Sequence, residues 1–332
     1  MRSAAHVTLI CLTTSLAGCN GMQSALDAQA GPAVHLKHLI IAMVIVCAVI
    51  WILVMIVLGW ALLRQGRPSE EGLARRERRM TQAVSSAVVA TAFVIAGLTI
   101  ASFYTTRSLD RFDHASLVVK VRAQQWWWQF IYDNGNSAKT FQTANELHIP
   151  VGVDIRLELE AADVIHSFWI PSLTGKRDLV PGRRNQLTLR ADRPGVYRGQ
   201  CAEFCGLQHG HMALFVIAQD NASFERWASG QRSDALLPSE NEAVAGKAVF
   251  MVRPCAACHS IRGTEASGTA GPDLTHVASR RTIAAGLIDN TRGTLAAWIA
   301  DPQTLKPGNN MPMVPLSSDE LRQLAAYMDS LK

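Results

Sequence analysis

No internal repeat or low-complexity tract runs through the 332 residues, and no block of like charge interrupts them. Lys and Arg outnumber Asp and Glu by little, 32 against 27. So mild an excess gives no reason to look for a nucleic-acid partner, and the clustered arginines sit beside apolar runs, where another cause exists. Cysteine is scarce, with 7 in all. Cys11, Cys19 and Cys47 lie in N-terminal or apolar sequence. The other four form two short pairs beside histidines, Cys201/Cys205 and Cys255/Cys258. That grouping argues against a structural disulfide framework and for ligation of a metal or a haem. Charge is missing altogether from residues 39–63. The chain therefore reads as a membrane-anchored protein whose soluble remainder has room for two domains.

Residues 1–19 read as an export signal. Arg2 supplies positive charge, residues 7–16 a short apolar stretch, and small residues follow. The stretch is too short to span a bilayer as a helix. Its end, Leu16-Ala17-Gly18-Cys19, resembles the bacterial lipoprotein processing box, which implies cleavage before Cys19 and lipidation of its sulfur. Residues 39–63 have the length needed to cross the hydrocarbon core. Residues 83–104 form a second run, with Ser85, Ser86 and Thr91 of the kind tolerated where helices pack together. Between the runs lie Arg64, Arg67, Arg75, Arg76, Arg78 and Arg79 against Glu70, Glu71 and Glu77. A short arginine-rich loop stays cytoplasmic. The expectation is a multi-pass hairpin over 35–106 in the cell (inner) membrane, with everything after it on the outer, periplasmic side.

Over 114–220 the pattern changes to short alternating or β-branched runs, such as Val153-Asp154-Ile155-Arg156-Leu157-Glu158-Leu159, separated by Asn134-Gly135, Pro181-Gly182 and Pro194-Gly195. This predicts a small antiparallel β-sandwich or barrel. Residues 228–240 are polar and read as a linker. Helical periodicity returns over 241–332, with helices expected at 243–250 and 319–331, the second opened by Ser317-Ser318 with Glu320 close behind.

The segment Cys201-Ala202-Glu203-Phe204-Cys205-Gly206-Leu207-Gln208-His209-Gly210-His211-Met212 gathers two thiolates, two imidazoles and a thioether. Soft sulfur with imidazole favours copper or zinc over hard cations, and a thioether adds weight to copper. His166, on a strand upstream in Asp163-Val164-Ile165-His166-Ser167-Phe168-Trp169-Ile170-Pro171, is available as a further ligand if two metals share the thiolates.

These two motifs together resemble cytochrome c oxidase subunit II, over roughly residues 35–220. The resemblance implies a cupredoxin-like β-barrel carrying the dinuclear copper A centre. Position by position, it implies that Cys201 and Cys205 bridge both coppers and that His166 and His209 each bind one. Met212 and the Glu203 backbone carbonyl would be the weak ligands, and the Glu203 carboxylate would help hold a magnesium ion at the boundary with subunit I. His211 stands where the family has an aromatic residue and reads as a surface or supporting histidine. Gln125-Trp126-Trp127-Trp128-Gln129-Phe130 resembles the family's aromatic patch, in which Trp126 is the point where electrons come in. One departure lies in the second apolar run. Met80-Thr81-Gln82-Ala83-Val84 offers no carboxylate where the family often carries a proton-path glutamate.

Cys255-Ala256-Ala257-Cys258-His259 is the haem c attachment sequence: two thiols for the two vinyl groups and a histidine for the iron. Gly271-Pro272-Asp273-Leu274 resembles the c-type segment whose proline carbonyl orients that histidine. Leu295-Ala296-Ala297-Trp298-Ile299 looks like the helix that packs a tryptophan on the haem. Lys306-Pro307-Gly308-Asn309-Asn310-Met311-Pro312 resembles the loop presenting the distal methionine, with Met311 favoured over Met313. His276 reads as a surface residue. The expected whole is an all-α cytochrome c domain fused to subunit II. It takes electrons from cytochrome c or another respiratory donor and passes them through haem c and copper to subunit I, with subunit III alongside. The chain has no oxygen-reducing site of its own.

Overall fold

The computed structural model describes residues 21–64, 73–108, 116–133 and 140–332. The expected export signal with Cys19, part of the arginine-rich loop and the Asn134-Gly135 turn lie outside the described residues. The chain divides into two units, one spanning Val34–Arg111 and the other made of the remainder.

The smaller unit is built on helices α1 (Gly31–Leu63) and α2 (Leu73–Ser108), which contain the two apolar runs. At about 1.5 Å per residue each is roughly 50 Å long, more than the ~30 Å of a bilayer's hydrocarbon core. Trp51, Ile56, Val88 and Phe93 stand exposed along them. A water-soluble fold would turn such faces inward; both helices are long and apolar enough to cross a membrane. The Thr91 and Thr99 hydroxyls donate to the Ala87 and Ile95 carbonyls at 2.8 Å, so these polar groups need no water.

The larger unit begins with two five-stranded sheets. One holds β1 (Leu117–Gln124), β2 (Trp127–Tyr132), β3 (Phe141–Ala144), β5 (Ile155–Ala161) and β8 (Asn185–Leu189), in the order β3-β2-β1-β5-β8. The other holds β4 (Glu146–Pro150), β6 (His166–Trp169), β7 (Arg177–Leu179), β9 (Gly195–Cys201) and β10 (Ala213–Gln219), in the order β4-β10-β9-β6-β7. Alternation along the strands sends one face of each into a common core: Val119, Val121 and Ala123 from β1, Trp128, Phe130 and Tyr132 from β2, Ile155, Leu157 and Leu159 from β5. The expectation of a purely antiparallel arrangement is corrected. β1 pairs with β5, and β4 with β10, in parallel. Parallel neighbours need a long crossover, and here intervening strands of both sheets supply it.

Helix α3 (Asn221–Arg232) follows, capped by the Asp220 side chain, which accepts from the Ser223 amide. It takes up the first part of the expected linker 228–240, because Phe224 and Ala228 bury one face against the sheets and Trp227 stacks on His148 with ring centroids 3.9 Å apart. The C-terminal region is helical: α4 (Asn241–Val252), α5 (Cys255–Cys258), α6 (Arg292–Ala300), α7 (Pro302–Leu305) and α8 (Ser318–Ser330). Its own core joins Phe250, Ile261, Val277, Leu295, Leu324, Tyr327 and Met328. The Ser317–Glu320 signal forms a reciprocal capping box that opens α8. The region departs from all-α by one small hairpin, β11 (Thr282–Ile283) with β12 (Ile288–Asp289).

Candidate metal and haem sites

Strands and a tight loop bring the cysteine cluster together. His166 opens β6, Cys201 ends β9, and Cys205, His209 and Met212 follow on the loop and turn that lead into β10. The Cys201 and Cys205 sulfurs are unjoined and 3.8 Å apart. His166 Nδ1 lies 3.9 Å from Cys201 Sγ, and His209 Nδ1 lies 3.5 Å from Cys205 Sγ. Met212 Sδ is 3.9 Å from Cys205 Sγ, and the Glu203 carbonyl oxygen is 3.3 Å from Cys201 Sγ. His166, Cys201, Cys205 and Met212 are buried. Among the described residues, the ligand atoms of His166, Cys201 and Cys205 form a group close enough to hold a metal ion, all within 4.8 Å of one another.

The electrostatics favour negative charge on one of the two sulfurs. A hydrogen bond from the Cys205 thiol and another from His166 pull the Cys201 pKa down to about 3, against the opposing effect of burial. Cys205, sharing that hydrogen bond and also buried, is pushed up. Burial disfavours the His166 imidazolium, but its hydrogen bonds to Cys201 and Asp163 outweigh this and raise its pKa. Asp163 Oδ1 sits 2.9 Å from His166 Nε2, which aims Nδ1 at the sulfurs. The sequence motif contained Asp163, but its spacing did not disclose this role. The Glu203 carboxylate points away, half exposed and 4.0 Å from Lys176. His211 is exposed, with Nδ1 on Gln208 Oε1 at 2.8 Å.

Trp126 is buried, and its indole N–H donates to the Cys205 carbonyl at 3.0 Å. Trp128 is a core residue, edge-on to Phe168 and His166. A cavity beside Trp126 and Trp127 is lined by Cys258, His259, Pro272, Trp298 and Met311. The His259 Nδ1–H donates to the Pro272 carbonyl at 2.7 Å, which fixes the tautomer and leaves the lone pair on Nε2. Burial lowers the His259 pKa and so favours the neutral imidazole. Gly271 is cut to this ring: a Cβ there would lie 2.5 Å from His259 Cε1. Met313 is 61% exposed, whereas Met311 lines the cavity. Cys255 is half-buried against the helical core and is not among the cavity-lining residues. His276 corrects its expected surface placement. It is buried, with Nδ1 on the Lys332 carbonyl at 2.8 Å and Nε2 3.1 Å from the Ser233 carbonyl.

Sequence reasoning missed two residues that join the β-sheets to the helical region. Lys306 is 3% exposed, and its ammonium donates to the carbonyls of Trp126, His211 and Ala284 at 2.9, 2.7 and 2.9 Å. Burial pulls its pKa down to about 7, with the Cys205 side chain opposing. Glu146 Oε1 accepts from the Arg281 amide at 2.5 Å.

Comparison with known proteins identifies both regions. Residues 134–219 match the family described as "Cytochrome C oxidase subunit II, periplasmic domain", and residues 243–332 match "Cytochrome c". The cytochrome c oxidase subunit 2 of Alkalihalophilus pseudofirmus is 35% identical across 97% of this chain and 95% of that protein. The same subunit of a Bacillus species is 33% identical across 66% of this chain and 64% of that protein. The solved periplasmic domain of subunit II of the Bradyrhizobium japonicum cytochrome oxidase is 29% identical, covering 36% of this chain and 94% of that one, with a TM-score of 0.34. The chain belongs to the cytochrome c oxidase subunit II family, as an electron-transfer subunit whose periplasmic-type domain is fused to a cytochrome c domain.

Proposed function

We propose that this chain is the electron-accepting subunit of a membrane-bound, cytochrome c-oxidising terminal oxidase, with a dinuclear copper A centre in a cupredoxin-like domain and one covalent haem c in the domain after it. The observation that carries this is the convergence of two free thiols, two imidazole nitrogens, a thioether and a carbonyl within the cysteine cluster. Such a donor set fits copper better than a hard cation. His166, Cys201, Cys205, His209 and Met212, with the Glu203 carbonyl, would hold the two coppers. Cys255 and Cys258 would bond the haem, and His259 and Met311 would take its axial positions. When bound, these groups would supply one-electron carriers, and that is the only chemistry the residues around them need to support.

The residues do the rest. Asp163 orients the His166 ring and Pro272 the His259 ring. Two strands and the short loop between β9 and β10 hold the donors, so little has to move when charge changes. Trp126 links the cytochrome side to the cluster through its hydrogen bond to Cys205. The Glu203 carboxylate, free of the cluster, is available for a magnesium ion shared with subunit I. Domain limits of 35–106 for the hairpin, 114–220 for the copper domain and 241–332 for the cytochrome domain belong to this reading. So do a multi-pass placement in the cell membrane with both redox domains outside, subunits I and III as partners, and cytochrome c or another respiratory donor.

The test is an optical and EPR spectrum of the purified full chain, with metal analysis. A low-spin haem c band together with a mixed-valence copper signal is the expected result. Zinc in place of copper, or no metal, overturns the reading.

A further inference from the structure

We infer that Lys306 is a positioning residue that locks the cytochrome domain onto the β-domain, so that electrons cross between them over a fixed contact and not by collision on a tether. This rests on the electron-transfer reading above. An ammonium has three N–H donors, and the three carbonyls around Lys306 supply one acceptor each. Two of them, on Trp126 and His211, belong to the β-domain, and the third, on Ala284, belongs to the cytochrome domain. The loop that starts with Lys306 also carries Met311. Along it, Gln208 donates to the Pro307 carbonyl at 2.8 Å and Asn310 to the Gln125 carbonyl at 3.3 Å. A Cβ on Gly308 would lie 3.1 Å from the Leu207 side chain and 3.8 Å from the Trp126 ring, so the loop runs beside the β-domain with little room to spare.

A second, independent feature points the same way. The tip of the β11–β12 hairpin places Ala284 and Ala285 at φ 55° and 62°. That region is disfavoured for residues with a Cβ. Docking compensates for it, because the Ala285 carbonyl accepts from the Ala213 amide of the β-domain at 3.0 Å. Glu146 grips the base of the same hairpin through the Arg281 amide. The amides of Ala213 and Arg281 are therefore reporters of docking that require neither metal nor haem.

The experiment uses the assembled oxidase and the Lys306→Met variant, which keeps the stem length and removes the charge. Amide exchange at Ala213 and Arg281 is expected to rise at least tenfold, while exchange at Glu320, inside the cytochrome domain, stays unchanged. Inter-domain electron transfer is expected to slow at least tenfold and to become dependent on ionic strength. Lys306→Arg, which keeps the charge, should recover part of both. Exchange and transfer within about twofold of wild type in Lys306→Met overturn the inference. If that variant does not fold, the wild type decides. Its transfer rate should be flat between about 0.05 and 0.5 M salt, and a fall of about tenfold overturns the lock. A wild type lacking copper or haem overturns the functional reading instead, and the exchange measurements still judge Lys306.

Discussion

Replacing Gly246 with alanine tests how closely the two long helices of the cytochrome domain cross. A Cβ at that position would lie 1.9 Å from the Gln323 carbonyl oxygen, 2.5 Å from its carbon and 2.9 Å from Tyr327 Cβ. Carbon and oxygen rest at roughly 3.3–3.6 Å, so the helices must part by about 1.5 Å. The obstructing atoms are backbone and cannot rotate away. Overpacking of this kind costs about 1–3 kcal/mol, and rigid backbone puts the cost at the upper end. Alanine's better helix propensity returns about 1 kcal/mol, leaving a loss of roughly 2 kcal/mol. For a domain of about 90 residues that lowers the melting temperature by roughly 8–16 °C. Differential scanning calorimetry of the full chain reads this in the cytochrome-domain transition. Gly230→Ala is the control of opposite sign. Its Cβ would meet nothing within 4 Å, so a gain of about 0.5–1 kcal/mol is expected. A Gly246→Ala transition within about 3 °C of wild type would refute the close crossing.

Other consequences are equally direct. Cys201→Ser removes the thiolate, and copper content by metal analysis should fall below about a tenth of wild type with unchanged circular dichroism; retained copper would count against the cluster. Trp227→Ala strips the ring from His148, Tyr132 and Phe141 and should cost about 3 kcal/mol in urea unfolding of the β-domain. The Glu320 carboxyl is held below its ordinary 4.5 by the Ser317 amide and Arg253, and Glu242 is held below it by Arg292 and Arg322. Carboxylates with lowered folded pKa values bind fewer protons folded than unfolded, so their contribution is present above about pH 4.5 and is lost as the pH falls through the folded values. Melting of the cytochrome domain should therefore weaken as pH falls below about 4.5, and Glu242→Gln should flatten that slope; an unchanged slope would contradict these ion pairs.

The features legible in the sequence were those written locally. Uncharged length marked the spans inside Gly31–Leu63 and Leu73–Ser108. Period-two alternation marked strands such as Ile155–Ala161, and the Ser317–Glu320 spacing marked a helix start. The grouping of Cys201, Cys205, His209 and Met212 was legible because side-chain chemistry at short spacing is visible in the residues themselves, whereas His166, 35 positions before Cys201, entered the ligand set through the family resemblance. Strand partners are not visible there, and the parallel pairs β1–β5 and β4–β10 follow from where the chain returns after crossing to the other sheet. His276 reads as polar and exposed until the last residue of the chain closes over it. Lys306 meets partners as far as 180 positions away, and those partners are peptide oxygens, which every residue type carries.

Main-chain acceptors leave their mark on how such a protein can diverge. The oxygens that face Lys306 persist whatever side chains replace those of Trp126, His211 and Ala284. Glu146 likewise accepts from a peptide N–H, not from the Arg281 guanidinium. Neighbouring positions can therefore drift with no matching change at the lysine or the glutamate. Pairwise substitution patterns across this seam should be silent even though both residues are held in place, and two fused domains can specialise their outer surfaces separately without coming apart at the join.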